Sequence, residues 1–249
     1  MYTNKVNMGY VRHWHPWVGC KKVSAACRNC FVKQQGQIVP SKDFTPPRAN
    51  YGDVIVTCLH SDFFIAEADQ YREKAWNIIK NHPEQIFLII TKRVERIMSC
   101  LPKDWGDGYD NVVISVTTEN QKWVDYRLPI FLQVPAKHKW ISCCPLLESI
   151  NLEEYLKTGA FEWVETCGEI GKIDLIRPTC FEWVANLSDQ CKKEGVRFTF
   201  MKIGEKFVVD GQIFSERATC YHSPMADRYD LDNAEPINFV LNGKPFTIL

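Results

Sequence analysis

The chain has no surplus of charge: thirty lysines and arginines meet thirty aspartates and glutamates over 249 residues. A chain without a basic excess does not bind nucleic acid by bulk electrostatics, although a local basic patch stays open. It contains no uninterrupted apolar run of about 18 residues, which excludes a membrane-spanning helix. Its opening residues, Met1-Tyr2-Thr3-Asn4-Lys5, lack the apolar stretch of a secretory signal, so the expected location is the cytoplasm. No flexible linker interrupts the interior. An apolar content of 45% and a charged content of 24% are those of an ordinary globular protein.

A fourth clustered cysteine is also missing. The eleven cysteines are an odd number and mostly scattered, and a reducing compartment disfavours a disulfide framework. Cys58, Cys143, Cys144 and Cys167 sit in or beside apolar runs, where cysteine acts as a small hydrophobe. The exception is Gly19-Cys20-Lys-Lys-Val-Ser-Ala-Ala-Cys27-Arg-Asn-Cys30-Phe31, a C-x6-C-x2-C array. Thiolates are soft ligands that suit zinc, copper(I) and iron–sulfur clusters. A closed structural zinc site needs four ligands, as does an ordinary ferredoxin cluster. Three ligands leave one metal corner open for a substrate or cofactor. Other readings remain. His13 or His15, flanking Trp14, would complete a Cys3His zinc site, or they are packing residues. Cys27 and Cys30 would serve as a redox pair, which leaves Cys20 unexplained.

Along the chain, residues 6–19 are rich in β-forming side chains and read as a first strand. A short helix starting at Cys27 would carry Cys30, Phe31 and Gln34 on one side. From residue 53 a unit repeats. Short apolar runs, each suited to a strand buried on both faces, begin at Asp53, Gln85, Asn111, His138, Phe161 and Val196. Between them, apolar residues recur at helical spacing, for example Tyr71, Ala75, Ile78 and Ile79, or Phe181, Val184, Leu187 and Cys191. Alternating strands and helices imply right-handed crossovers and a parallel sheet. The expected fold is therefore α/β: a full or partial (β/α) TIM-type barrel over residues 1–205. A small β-rich extension over 206–249 packs on it, and a doubly wound open sheet is the alternative.

In such barrels the loops at the carboxyl ends of the strands build the active site. Those ends deliver His60, Ser61 and Asp62; Thr91, Lys92 and Arg93; Ser115, Thr117, Glu119 and Asn120; Ser142; Glu169; and Lys202. Each has a plainer role open to it. Asp62 would cap a following helix, Lys92 and Arg93 would be solvated charges, and Ser115 and Thr117 ordinary strand residues.

The motifs also resemble a known family. Trp14-His-Pro-Trp-Val-Gly-Cys20 through Cys27-Arg-Asn-Cys30-Phe31 resembles the W-N-P-x-x-G-C-x-K-x-S-x-G-C-x-N-C-Y start of a phage- and prophage-associated family of unknown function. Members of that family look like divergent radical S-adenosylmethionine enzymes. Ser61-Asp62-Phe63-Phe64, Ile90-Thr-Lys-Arg93, Ser115-Val-Thr-Thr-Glu-Asn-Gln121, Pro145-Leu-Leu147, Gly168-Glu169 and Phe200-Met-Lys202 are similar to its later motifs, in order. Cys144 and Cys167 depart from it, standing where the family has glutamate and glycine, and the first cysteine gap is longer than the C-x3-C of most radical S-adenosylmethionine enzymes. The resemblance implies that Cys20, Cys27 and Cys30 hold a four-iron–four-sulfur cluster whose open iron binds S-adenosylmethionine. Reductive cleavage of that cofactor, with an external one-electron reductant, would then act on an unknown substrate, for which a nucleotide or nucleic-acid base is the expectation. Asp62, Lys92, Arg93, Ser115, Thr117, Glu119, Glu169 and Lys202 are the expected cofactor contacts. The competing expectation is a zinc-stabilised nucleic-acid-binding or interaction protein, with a basic patch at Lys21, Lys22, Arg28 and Lys33.

Overall fold

A computed structural model describes residues 10–32, 36–42 and 44–249. The expected positions 6–9, Lys33 and Gln34 lie outside them. Seven strands form one parallel sheet: β1 (Val11–Trp14), β2 (Val54–Thr57), β3 (Ile86–Thr91), β4 (Val112–Thr117), β5 (His138–Cys143), β6 (Trp163–Cys167) and β7 (Arg197–Lys202). Each strand pairs with the next in sequence, and every pairing is parallel. This sequential order is that of a barrel and not of a doubly wound sheet, in which the order reverses at a switch point. β1 and β7 are not neighbours, so the sheet curls into a half-barrel and does not close.

Side chains alternate across each strand, and the two faces bury different partners. Ile55, Phe87, Ile89, Ile114, Val116, Ile141, Val164 and Phe198 face outward. They pack with the apolar stripes of α1 (Asp69–Lys80), α3 (Gln121–Leu132) and α5 (Phe181–Lys193). The helical spacing seen in sequence is that stripe: Ala75, Trp76 and Ile79 of α1 are buried, and so are Val184, Leu187 and Cys191 of α5. Fully burying one such aliphatic side chain contributes about 1.5–3 kcal/mol. Between β3 and β4 the helical segment is short. A 3-10 turn, Val94–Arg96, runs into α2 (Ile97–Cys100), and Met98 stays exposed. A further short helix, α4 (Glu153–Leu156), precedes β6.

The opposite, concave face is filled at its lower end by the last two strands of the chain. β10 (Ile237–Leu241) and β11 (Lys244–Ile248) form an antiparallel hairpin. Its Ile237, Phe239, Leu241 and Ile248 pack with Val54, Val56, Ile86, Leu88, Val113, Trp140 and Trp163. The end of the expected extension, residues 237–248, is therefore an internal plug. Ahead of it, β8 (Lys206–Val209) pairs in parallel with Thr179–Cys180 and antiparallel with β9 (Gln212–Ser215), and α6 (His222–Asp227) packs near β7. The helix expected at Cys27 is instead a single 3-10 turn, Ala25–Cys27, that ends where it was expected to begin.

Candidate functional site at the half-barrel mouth

The plug leaves the upper half of the concave face open. A cavity of about 650 Å³ lies there, at the carboxyl ends of the strands, within the usual size of a small-molecule site. Inward-facing Ile90, Thr117, Ser142, Glu165 and Met201 form its floor. The cysteine loop forms its rim, with Cys20, Cys27 and Cys30 all lining the cavity.

The loop is held by several of the strand-end groups singled out in sequence. Ser61 donates its hydroxyl to the Gly19 carbonyl, and the Gly19 N–H reaches the His60 carbonyl at 3.0 Å. Arg93 donates to the Lys21 carbonyl at 2.8 Å. Asn29, between Cys27 and Cys30, donates to Glu169 at 3.0 Å and to the Leu175 carbonyl at 2.9 Å. Glu169 in turn accepts from the Arg177 N–H at 2.9 Å and its Nε at 3.1 Å, and it pairs with the Arg177 Nη2. Burial alone would raise the Glu169 carboxyl, but the Arg177 and Asn29 bonds hold it below the usual range. Lys21 pairs with Glu67, and Lys22 donates to the Arg28 carbonyl at 3.3 Å, so both are engaged within the chain.

This changes the roles of several expected cofactor contacts. Asp62 is 5% exposed and accepts from the Phe64 N–H at 2.9 Å, the Thr91 hydroxyl at 2.8 Å and the Lys92 N–H at 3.1 Å. Its carboxylate therefore joins two strand ends and caps no helix. Glu119 is fully buried in an ion pair with Arg127, 2.7 Å away on α3, and it does not line the cavity. The Arg127 guanidinium also stacks 4.0 Å from the Trp123 ring. Asn120 caps α3, its side chain accepting from the Trp123 N–H at 3.1 Å. Ser115 is fully buried with an unpartnered hydroxyl and is not a lining residue. Lys92, Arg93, Thr117, Glu169 and Lys202 do line the cavity, as does Asp62.

Sequence reasoning gave the histidines a smaller place than they hold. His15 and His60 stack with centroids 4.2 Å apart and planes 5° from parallel. His13 stacks behind His15 at 6.2 Å, and Phe31 meets His60 edge-on at 5.7 Å. Burial first, then the neighbouring imidazoles, lower His15 to about 4. Burial likewise lowers His13. Glu165, Cys144 and Cys167 were also missed as lining residues. The period-two alternation Trp163-x-Glu165-x-Cys167 carries that signal, because every second residue of a strand shares a face.

The cysteines differ from one another. Burial, then Asp62, raises the Cys20 thiol against the opposing pull of Arg93. For Cys27 burial also acts upward, but Lys92 and bonds at Val23 and Ser24 bring the thiol below its usual value. A lowered thiol pKa favours the thiolate, the form that ligates metals. The Cys20 thiol contacts the Lys21 carbonyl at 3.6 Å and the Cys27 sulfur lies 3.9 Å from the Ser24 hydroxyl. Among the described residues, no three His, Cys, Asp or Glu side chains are gathered closely enough to hold a metal ion.

Fold and site together define a class: an α/β half-barrel protein with a thiol-rimmed cavity at the carboxyl ends of its strands. The chain belongs to the family described as Protein of unknown function (DUF5131), whose profile matches residues 9–230. The match spans all seven sheet strands and stops short of the plugging hairpin. No curated protein and no solved structure matches the chain. Among the described residues, no helix is long and apolar enough to cross a membrane.

Proposed function

We propose that the chain is an iron–sulfur enzyme of the radical S-adenosylmethionine type, acting in the mouth of the half-barrel. The observation that carries the reading is the placement of Cys20, Cys27 and Cys30 on the rim of one 650 Å³ cavity that also presents cationic and hydroxyl groups. The donor set fits the group: three soft sulfurs suit an iron–sulfur cluster, and the unfilled corner would face a cavity large enough for a cofactor. Cys20, Cys27 and Cys30 would hold the cluster. A four-iron–four-sulfur cluster with S-adenosylmethionine supplies radical chemistry once an external donor has delivered one electron.

The chain's own residues bind and orient. Lys92 and Lys202 offer charge to a carboxylate or phosphate of the occupant. Thr117 and Ser142 offer hydroxyls from the floor. Glu169 and Arg93 act through the loop, holding Asn29 and Lys21 and therefore the cysteines in place. The plug closes the lower end and keeps bulk water to one side. A nucleotide or nucleic-acid base is the proposed substrate class. Its support is that Lys92, Lys202 and the flat imidazole rings of His15 and His60 line the same cavity, together with the resemblance of the ordered motifs to a phage-associated family.

The test is anaerobic purification and reconstitution with iron and sulfide, followed by the visible spectrum and an assay for 5′-deoxyadenosine after reduction. The expected result is a broad iron–sulfur absorption that Cys27→Ser removes, with 5′-deoxyadenosine released by the parent chain alone. A chain that takes up zinc only, and releases no 5′-deoxyadenosine, overturns the reading in favour of a zinc-stabilised binding protein.

A further inference from the structure

Two more cysteines face the same cavity and have no part in the reading above. β5 and β6 pair in parallel with Cys143 opposite Thr166. One step further along, Cys144 and Cys167 extend from neighbouring strand ends, and the chain keeps them together because the Leu146 N–H donates to the Cys167 carbonyl at 2.9 Å. Alternation turns Cys143 outward into the helix-side core and both Cys144 and Cys167 inward. Extending that register by one residue sets Cys144 beside Cys167. Both are half-buried, line the cavity and are free thiols. Neighbouring strands lie about 4.8 Å apart, inside the about 4.4–6.8 Å span of Cα separations that a disulfide accepts. A bond can therefore close between them with little backbone movement.

We propose that Cys144 and Cys167 form a reversible dithiol–disulfide couple in the cavity wall, exchanging with a low-molecular-weight disulfide of the glutathione type. The first thiol, attacking as thiolate, displaces one half of the external disulfide, which leaves as a thiol carrying the proton given up. The second thiol attacks the mixed disulfide, the Cys144–Cys167 bond forms, and the other half leaves as a second thiol. Two cysteines lose two electrons and two protons, and the external disulfide gains both. Contact with Cys167, burial and the nearby Glu165 carboxylate push the Cys144 thiol well up. Exchange therefore speeds up as pH rises, and either thiol can make the first attack. The closed bond would tie the ends of β5 and β6 beside Ser142 and Glu165, changing the shape and polarity of the cavity wall. The couple does not depend on a cluster at Cys20, Cys27 and Cys30.

The experiment uses the full chain purified without oxygen, incubated across a series of glutathione to glutathione-disulfide ratios. Remaining thiols are alkylated, and peptides are mapped without reduction. The expected result is a cross-linked peptide joining residues 144 and 167, lost again at high glutathione. In Cys144→Ser the intermediate is trapped as a stable glutathione adduct on Cys167. In Cys167→Ser the adduct is trapped on Cys144, again with no cross-link. Near-ultraviolet circular dichroism of each serine variant checks that the fold is kept. Free thiols at both positions throughout the series, a stable adduct on Cys167 of the parent chain, or bonds from either residue to another cysteine would each overturn the proposal.

Discussion

At the scale of single residues, burial lowers an imidazole and raises a carboxyl, and a partner can reverse the second effect. His15 is lowered to about 4 by burial and then by His60 and His13. A depressed imidazole contributes stability that is fully present above its unfolded value of about 6.5. That stability is lost as pH falls toward about 4, because the unfolded chain binds the proton first. Titration of the His15 ring by NMR should show a midpoint near pH 4, and His15→Gln should flatten the stability profile between those limits. Glu169 has the same sign lower on the scale. Its contribution is present above the ordinary carboxylate value of about 4.3 and is lost as pH falls through the lower folded value. Glu119 shows the cost of a buried charge left alone. It is fully buried against Arg127, whose Nε and Nη2 already lack hydrogen-bond partners. Glu119→Gln strands that guanidinium, and the expected loss is about 3–5 kcal/mol in a denaturant titration.

At the scale of elements, the mouth depends on two strand ends that approach more closely than a side chain allows. A Cβ on Gly168 would lie 2.1 Å from the Ile203 carbonyl oxygen, and one on Gly204, at φ +77°, would lie 2.7 Å from the Gly168 backbone. Gly168→Ala must therefore push β6 and β7 apart beside Glu169. Strain of that kind costs typically about 1–3 kcal/mol. The expected signature is a lowered denaturation midpoint together with faster proteolysis of the cysteine loop, since Glu169 anchors Asn29. The hairpin of β10 and β11 acts at the other end. Phe239 is 2% exposed and its ring lies 4.0 Å from that of His138. Phe239→Ala leaves a hole in the plug, and the expected cost is about 3–5 kcal/mol by chemical denaturation. The cavity at the mouth lies beyond that hole, so metal uptake by the folded fraction should not change.

At the scale of the molecule, the thiol loop borders the core without forming it, with Cys20 packed against the main cluster. The main core runs through the outer sheet face and its helices, a second one joins the plug to the inner face, and the cysteine loop lies over their upper end. In metal-free protein, replacing Cys20, Cys27 and Cys30 together by serine should keep a single cooperative transition. Its midpoint should move by no more than the about 2–4 °C that 1 kcal/mol is worth in a chain of this size. Calorimetry of the two metal-free chains checks this. Collapse of the transition would mean instead that the loop carries the fold.

Much of the architecture was legible in the residues alone. The apolar runs at Asp53, Gln85, Asn111, His138, Phe161 and Val196 place six of the seven strands, because a strand buried on both faces shows no polar alternation. The clustering of polar groups at one end of the sheet was legible for the same reason, since each follows a strand of similar length. Periodicity could not say which partner each polar group would meet. Asp62 and Glu119 are equivalent by position, yet one joins loops at the mouth and the other pairs with Arg127 behind the sheet. Whether β7 would meet β1 was also beyond local pattern, because closure depends on the tilt and stagger of all the strands together. The sequence by itself determined an α/β chain with parallel strands and three thiols ahead of the second strand. Only the tertiary structure decided that the barrel stays open, that a distant hairpin fills its lower half, and that Glu169 and Arg93 hold the thiols at the mouth of what remains. Contacts between residues 140 positions apart, as Asn29 and Glu169 are, leave no trace in any local spacing.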